Sequence, residues 1–117
     1  MSETPLADPG LSDADYQREA SALLAHIEAT TDRWLDNDLI DIDSQRSGGL
    51  LELTFPDRSK IIINTQPPLH EVWLATKAGG YHYRWLQGRW LDTRDGSEFL
   101  AVLSLQASAQ GKKTLKF

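Results

Sequence analysis

A chain of 117 residues, 40% of them apolar, can build one packed core and leaves no room for two ordinary domains. It has no cysteine, which excludes disulfides, thiolate nucleophiles, cysteine-held zinc and cysteine-held iron–sulfur clusters. The net charge of −5 is unevenly spread: residues 1–44 hold eleven acids and two bases, residues 45–117 six acids and ten bases, so the first part favours a cation or a basic protein and repels nucleic acid.

Met1–Gly10 lacks the basic and apolar regions of a secretory leader, and no apolar run approaches the roughly 18 residues of a membrane span. Residues 1–11 are expected as a flexible tail, 12–117 as a single domain, and the location as cytoplasmic, with no membrane and no nucleic acid among the partners. Ser12 is a helix N-cap with Asp15 three residues on. Tyr16, Ala20, Leu23, Leu24, Ile27, Thr31 and Trp34 then recur at helical spacing, within the stripe of about 100° that a core-facing helix buries. The spacing predicts a helix over 12–33.

The period then changes to two. Leu39–Asp43 alternates apolar and acidic residues and predicts a first strand; after Ser47-Gly48-Gly49 the alternation resumes over Leu50–Phe55. Pro56–Ser59 is a turn, Lys60–Asn64 a third strand, and Gln66-Pro67-Pro68 an interruption, because proline donates nothing to a ladder. Glu71–Ala75, Gly80–Leu86 and Arg89–Asp92 complete six strands. Asp95 is expected to cap a second helix, with Glu98 three residues later. Short connections make neighbouring strands antiparallel. The expected fold is α+β, a two-layer sandwich with the N- and C-terminal helices on one face of an antiparallel sheet of about six strands.

The strongest chemical feature is the acidic cluster Glu28, Asp32, Asp36, Asp38, Asp41 and Asp43, running from the end of the first helix onto the first strand. Carboxylate oxygen binds hard cations such as iron, manganese, calcium or magnesium. Spread out and without histidine, the cluster is either a solvated acidic face, the more economical reading, or a surface of weak, multiple cation sites. An EF-hand is excluded, because counting from Asp36 its glycine position is Asp41 and its glutamate position Ser47. Trp73 and Glu71 alternate with Val72 and Leu74 and so face the open side of the sheet. There Trp73 either anchors a partner or packs on a neighbouring strand. His26, His70 and His82 lack metal-site spacing, and no Ser-His-Asp arrangement or phosphate loop is present.

From Lys60 onward the sequence is no longer generic. The run Ser59-Lys60-Ile61-Ile62-Ile63-Asn64, then Gln66, Pro68-Leu69-His70, Val72-Trp73-Leu74-Ala75 and Gly79-Gly80-Tyr81-His82, resembles the bacterial frataxin (CyaY) family. The resemblance extends from about Tyr16 to about Gly111 and implies two helices packed on one side of an antiparallel sheet. It implies weak binding of Fe2+ and Fe3+ on the acidic ridge. It implies the cysteine desulfurase and scaffold protein of iron–sulfur cluster assembly as partners, with Asn64, Gln66 and Trp73 on the partner-facing surface. Family members often carry acids where this chain has Ala29, Arg33 and Leu35, which centres the expected iron surface on Asp36, Asp38, Asp41 and Asp43.

The leading expectation is an iron-binding accessory protein of cluster assembly, a donor or a regulator, monomeric unless iron drives association. The alternative is a purely protein-binding regulator with incidental iron affinity. A ferroxidase comes last, because the di-iron Glu-x-x-His pairing is absent; the chain is expected not to be an enzyme.

Overall fold

A computed structural model describes residues 11–117, so the tail expected over 1–11 lies almost wholly outside the described residues. Helix α1 spans Asp13–Asp36 and helix α2 Phe99–Gly111. Between them lie β1 (Asp43–Ser47), β2 (Leu50–Thr54), β3 (Lys60–Gln66), β4 (Glu71–Thr76), β5 (Gly79–Leu86) and β6 (Arg89–Asp92). A single 3-10 turn, Pro67–Leu69, occupies the proline interruption. The strands form one six-stranded sheet in sequence order, every pair antiparallel, as short hairpin connections require.

Helix α1 starts where its cap predicts: the Ser12 side chain accepts from the Asp15 N–H at 3.0 Å. Its apolar stripe is buried as expected, together with Thr30. Opposite it, Leu51, Leu53, Ile61, Ile63, Val72, Leu74, Tyr83 and Trp90 supply the inner face of the sheet, and Phe99, Leu103 and Ala107 bring α2 to the same core. Burial alternates along β2, β3 and β4, the signature of a sheet covered on one side. Tyr16 ties the layers together: its hydroxyl donates to the Glu71 carbonyl at 2.6 Å and accepts the Gln66 N–H at 3.1 Å.

Two expectations are corrected. The first strand is Asp43–Ser47, not Leu39–Asp43. Ile40 and Ile42 are buried and Asp41 exposed, as the alternation requires, but this stretch is an unpaired extended segment. Gly48, at φ +58°, sets the β1–β2 hairpin so that Asp43 pairs with Thr54. Beyond Thr54 the chain turns at Phe55-Pro56, so Asp41 and Ile42 have no strand to pair with. The cap of α2 is Glu98, not Asp95: its carboxylate accepts from Leu100 N–H at 2.8 Å and Ala101 N–H at 3.0 Å. An isolated bridge between Glu98 and Leu91 holds that residue extended at the sheet edge, and Asp95 closes a turn on the Ser97 N–H instead.

Candidate functional site

Two surfaces carry the residues the sequence singles out. The first is the acidic ridge. Helix α1 ends at Asp36, and Asp38 takes a left-handed backbone, φ +55°, a conformation aspartate tolerates better than most residues. The Leu39 N–H then folds back on the Trp34 carbonyl at 2.8 Å, and the chain turns toward β1. This places Asp32, Asp36, Asp38, Asp41 and Asp43 along one helix–loop–strand path, all exposed. Among the described residues, none of Asp32, Asp36, Asp38 and Asp41 is in an ion pair. Among the described residues, Asp43 accepts a side-chain hydrogen bond only from the Gln45 amide, at 3.4 Å.

Glu28, the remaining member of the predicted set, is set apart. Its carboxylate accepts from Arg46 Nη1 at 3.0 Å, while Arg46 also donates to Ser21 Oγ at 3.2 Å and to the Gly48 carbonyl at 3.2 Å. Arg46 thus clamps the β1–β2 hairpin to α1 and neutralises Glu28. Lys113, from the chain after α2, donates its ammonium to the Leu39 carbonyl and brings a cation into the acidic loop. Neither long-range partner is visible in local sequence. Among the described residues, no three His, Cys, Asp or Glu side chains come together as a preformed metal cage. The ridge is a line of separate carboxylates, able to attract a cation by summed field rather than to enclose it.

The second surface is the open face of the sheet. Strand pairing aligns Asn64 with Trp73 and Trp73 with His82, and in the next row Gln66 with Glu71 and Glu71 with Arg84. Asn64, Gln66 and Trp73, the three predicted partner-binding residues, therefore lie together and are all half-buried. Trp73 stacks on His82, ring centroids 4.1 Å apart and planes 5° from parallel. Its indole N–H donates to Glu71 Oε1 at 2.8 Å, and Arg84 Nε donates to the other carboxylate oxygen at 2.8 Å. Sequence parity placed Glu71 on this open face but not its burial: it is only 5% exposed, beneath the side chains it binds.

His70 lies elsewhere, its Nε2 2.6 Å from Asp13 and its ring stacked on Tyr16. No described helix is long and apolar enough to cross a membrane.

A family model described as a frataxin-like domain matches residues 9–113. The iron-sulfur cluster assembly protein CyaY of Polaromonas sp. (strain JS666 / ATCC BAA-500) is 50% identical over 107 residues, 92% of each chain. Frataxin from Psychromonas ingrahamii superposes with a TM-score of 0.81 at 39% identity, covering 91% of this chain and 97% of that one. The trimeric frataxin of the yeast Saccharomyces cerevisiae, in a ferrous complex, superposes at 0.59 with 25% identity over 94% of each chain. The helix–sheet arrangement, the motif run through β3 to β5 and these matches agree: the chain belongs to the bacterial frataxin (CyaY) family.

Proposed function

We propose that this chain is an accessory protein of iron–sulfur cluster assembly, presenting weakly held iron on its acidic ridge and docking on the desulfurase–scaffold complex. The observation that carries this reading is the row Asp32, Asp36, Asp38 and Asp41, exposed and without ion pairs among the described residues, in a chain 50% identical to a protein named for that assembly. Lys113 enters this loop at the Leu39 carbonyl, so the carboxylates themselves keep no ion pair among the described residues and are open to an external cation. Its field serves two ends: it collects Fe2+ or Fe3+, and it docks on a basic patch of the cysteine desulfurase. The sheet face of Asn64, Gln66 and Trp73 supplies a packed contact to the scaffold or the desulfurase. The place of action is the cytoplasm. The protein works as a monomer that iron can drive to associate; yeast frataxin, trimeric both in a ferrous complex and with its full-length N-terminus, is a relative that associates.

Because its carboxylates bind cargo rather than a resident cofactor, the ridge performs no redox step of its own. Oxygen uptake with Fe(II) no faster than in buffer is the expected result; clear acceleration would make it a ferroxidase. The functional test is the triple variant Asp36→Asn, Asp38→Asn, Asp41→Asn. It should lose both iron and desulfurase binding while keeping its melting temperature, and normal binding of both would refute the ridge reading.

A second reading is favoured by the lack of any cluster of three ligands among the described residues. In it the ridge is purely a docking surface for a basic protein, and iron binding is incidental. Partner affinity would then fall steeply with salt and be indifferent to iron.

A further inference from the structure

On the open face, the indole N–H of Trp73 and both carboxylate oxygens of Glu71 are already engaged. The indole N–H, the ring's only hydrogen-bond donor, goes to Glu71 Oε1 at 2.8 Å. Glu71 is held in turn by Arg84 at 2.8 Å, with His82 Nδ1 3.8 Å from the same oxygen that takes the indole. His82 covers one face of the indole at 4.1 Å. A carboxylate only 5% exposed would be costly if unpaired; here it meets a guanidinium and an indole N–H, so the group is locally neutral.

We propose that Glu71 is a positioning residue that consumes the Trp73 N–H and fixes its rotamer, so that Trp73 meets its partner through ring carbon alone. The partner group is then an apolar side chain, and a carboxylate or carbonyl aimed at the indole N–H is excluded. The inference rests on the reading that this face docks a protein, and it divides the chemistry of the two surfaces. The ridge binds by charge and weakens with salt. The Trp73 platform, near neutral once Glu71 and Arg84 are paired, binds by carbon contact and responds little to salt.

The test has two arms. In the free protein, the Trp73 indole N–H resonance is assigned by its loss in Trp73→Phe. In Glu71→Ala it should exchange with solvent faster by about tenfold or more, the worth of a charge-assisted bond, and Glu71→Gln, which keeps an acceptor oxygen, should restore most of the protection. Equal exchange in the parent chain and Glu71→Ala would overturn the positioning role. In the second arm, binding to the desulfurase–scaffold complex is measured. Trp73→Ala should lose roughly thirtyfold and Trp73→Phe stay within about threefold of the parent. A Phe variant as weak as the Ala variant would overturn the carbon-contact claim, since the N–H would then be given to the partner. Unchanged binding by Trp73→Ala would instead overturn the docking reading of this face, and the first arm would still decide what Glu71 does.

Discussion

Two buried tyrosines on opposite sides of the same core show how much a single hydroxyl matters. The Tyr16 hydroxyl has a donor and an acceptor partner, the Gln66 N–H and the Glu71 carbonyl. The Tyr83 hydroxyl is fully buried with no partner among the described residues, and burial pushes its ionisation well above the usual tyrosine range. Tyr16→Phe leaves two backbone groups unsatisfied and should cost about 1–3 kcal/mol; Tyr83→Phe should cost nothing or stabilise. Urea denaturation of the two variants checks the contrast, and equal losses would contradict it. Arg46 is the residue where stability and site charge meet. Arg46→Ala removes a half-exposed pair worth about 1 kcal/mol or less. It also frees Glu28 and adds one negative charge to the ridge, so iron binding near the end of α1 should tighten in an anaerobic Fe(II) titration.

At the scale of elements, short polar closures fix where helices and turns begin. The Asp15 carboxyl is held below its usual range by Arg18 and by the Ser12 cap, Asp57 by hydrogen bonds from Ser59, and Asp95 by the Ser97 N–H. A carboxyl depressed in the folded state contributes stability above its unfolded value, and that contribution is lost as pH falls through the folded value. Thermal melts should therefore move down between about pH 5 and pH 3, with a smaller drop in Asp57→Asn and Asp95→Asn. How legible these elements are in the sequence depends on whether their cause is local. The α1 stripe and Ser12 cap are local, and they appear as read. The first strand was misplaced because alternation reports burial, whereas pairing depends on β2, which the turn at Phe55-Pro56 cuts short. Asp95 carries a good cap signature, yet Glu98 caps α2 because its bridge to Leu91 presents its carboxylate to the helix. In the candidate sites, strand parity puts Trp73 on the open face, while its grouping with Asn64 and Gln66 comes from the family resemblance, because the β3–β4 register is not a local property. The Arg46 clamp on Glu28 and the Lys113 contact with Leu39 span 18 and 74 residues, and no local pattern encodes them.

For the whole molecule, charge is sorted along the chain, and the fold returns two bases of the later part, Arg46 and Lys113, to the acidic end. The acidic first part of the sequence becomes α1 and the ridge, while most bases come from later strands and the segment after α2. Under the proposed docking, such an arrangement orients the molecule toward a basic partner before contact, so association should slow markedly as salt rises, whereas dissociation, set in that proposal by packed contacts such as Trp73, should change less. Stopped-flow kinetics with the desulfurase–scaffold complex separates the two rates. The central claim is that exposed ridge carboxylates are kept for iron. It is tested most directly by titrating the 15N-labelled protein with Fe(II) under anaerobic conditions, with Mg2+ as control. The account predicts resonance broadening confined to Glu28–Asp43 and weakest at Glu28, because Arg46 holds it. No selective broadening, or the same response to Mg2+, would contradict it.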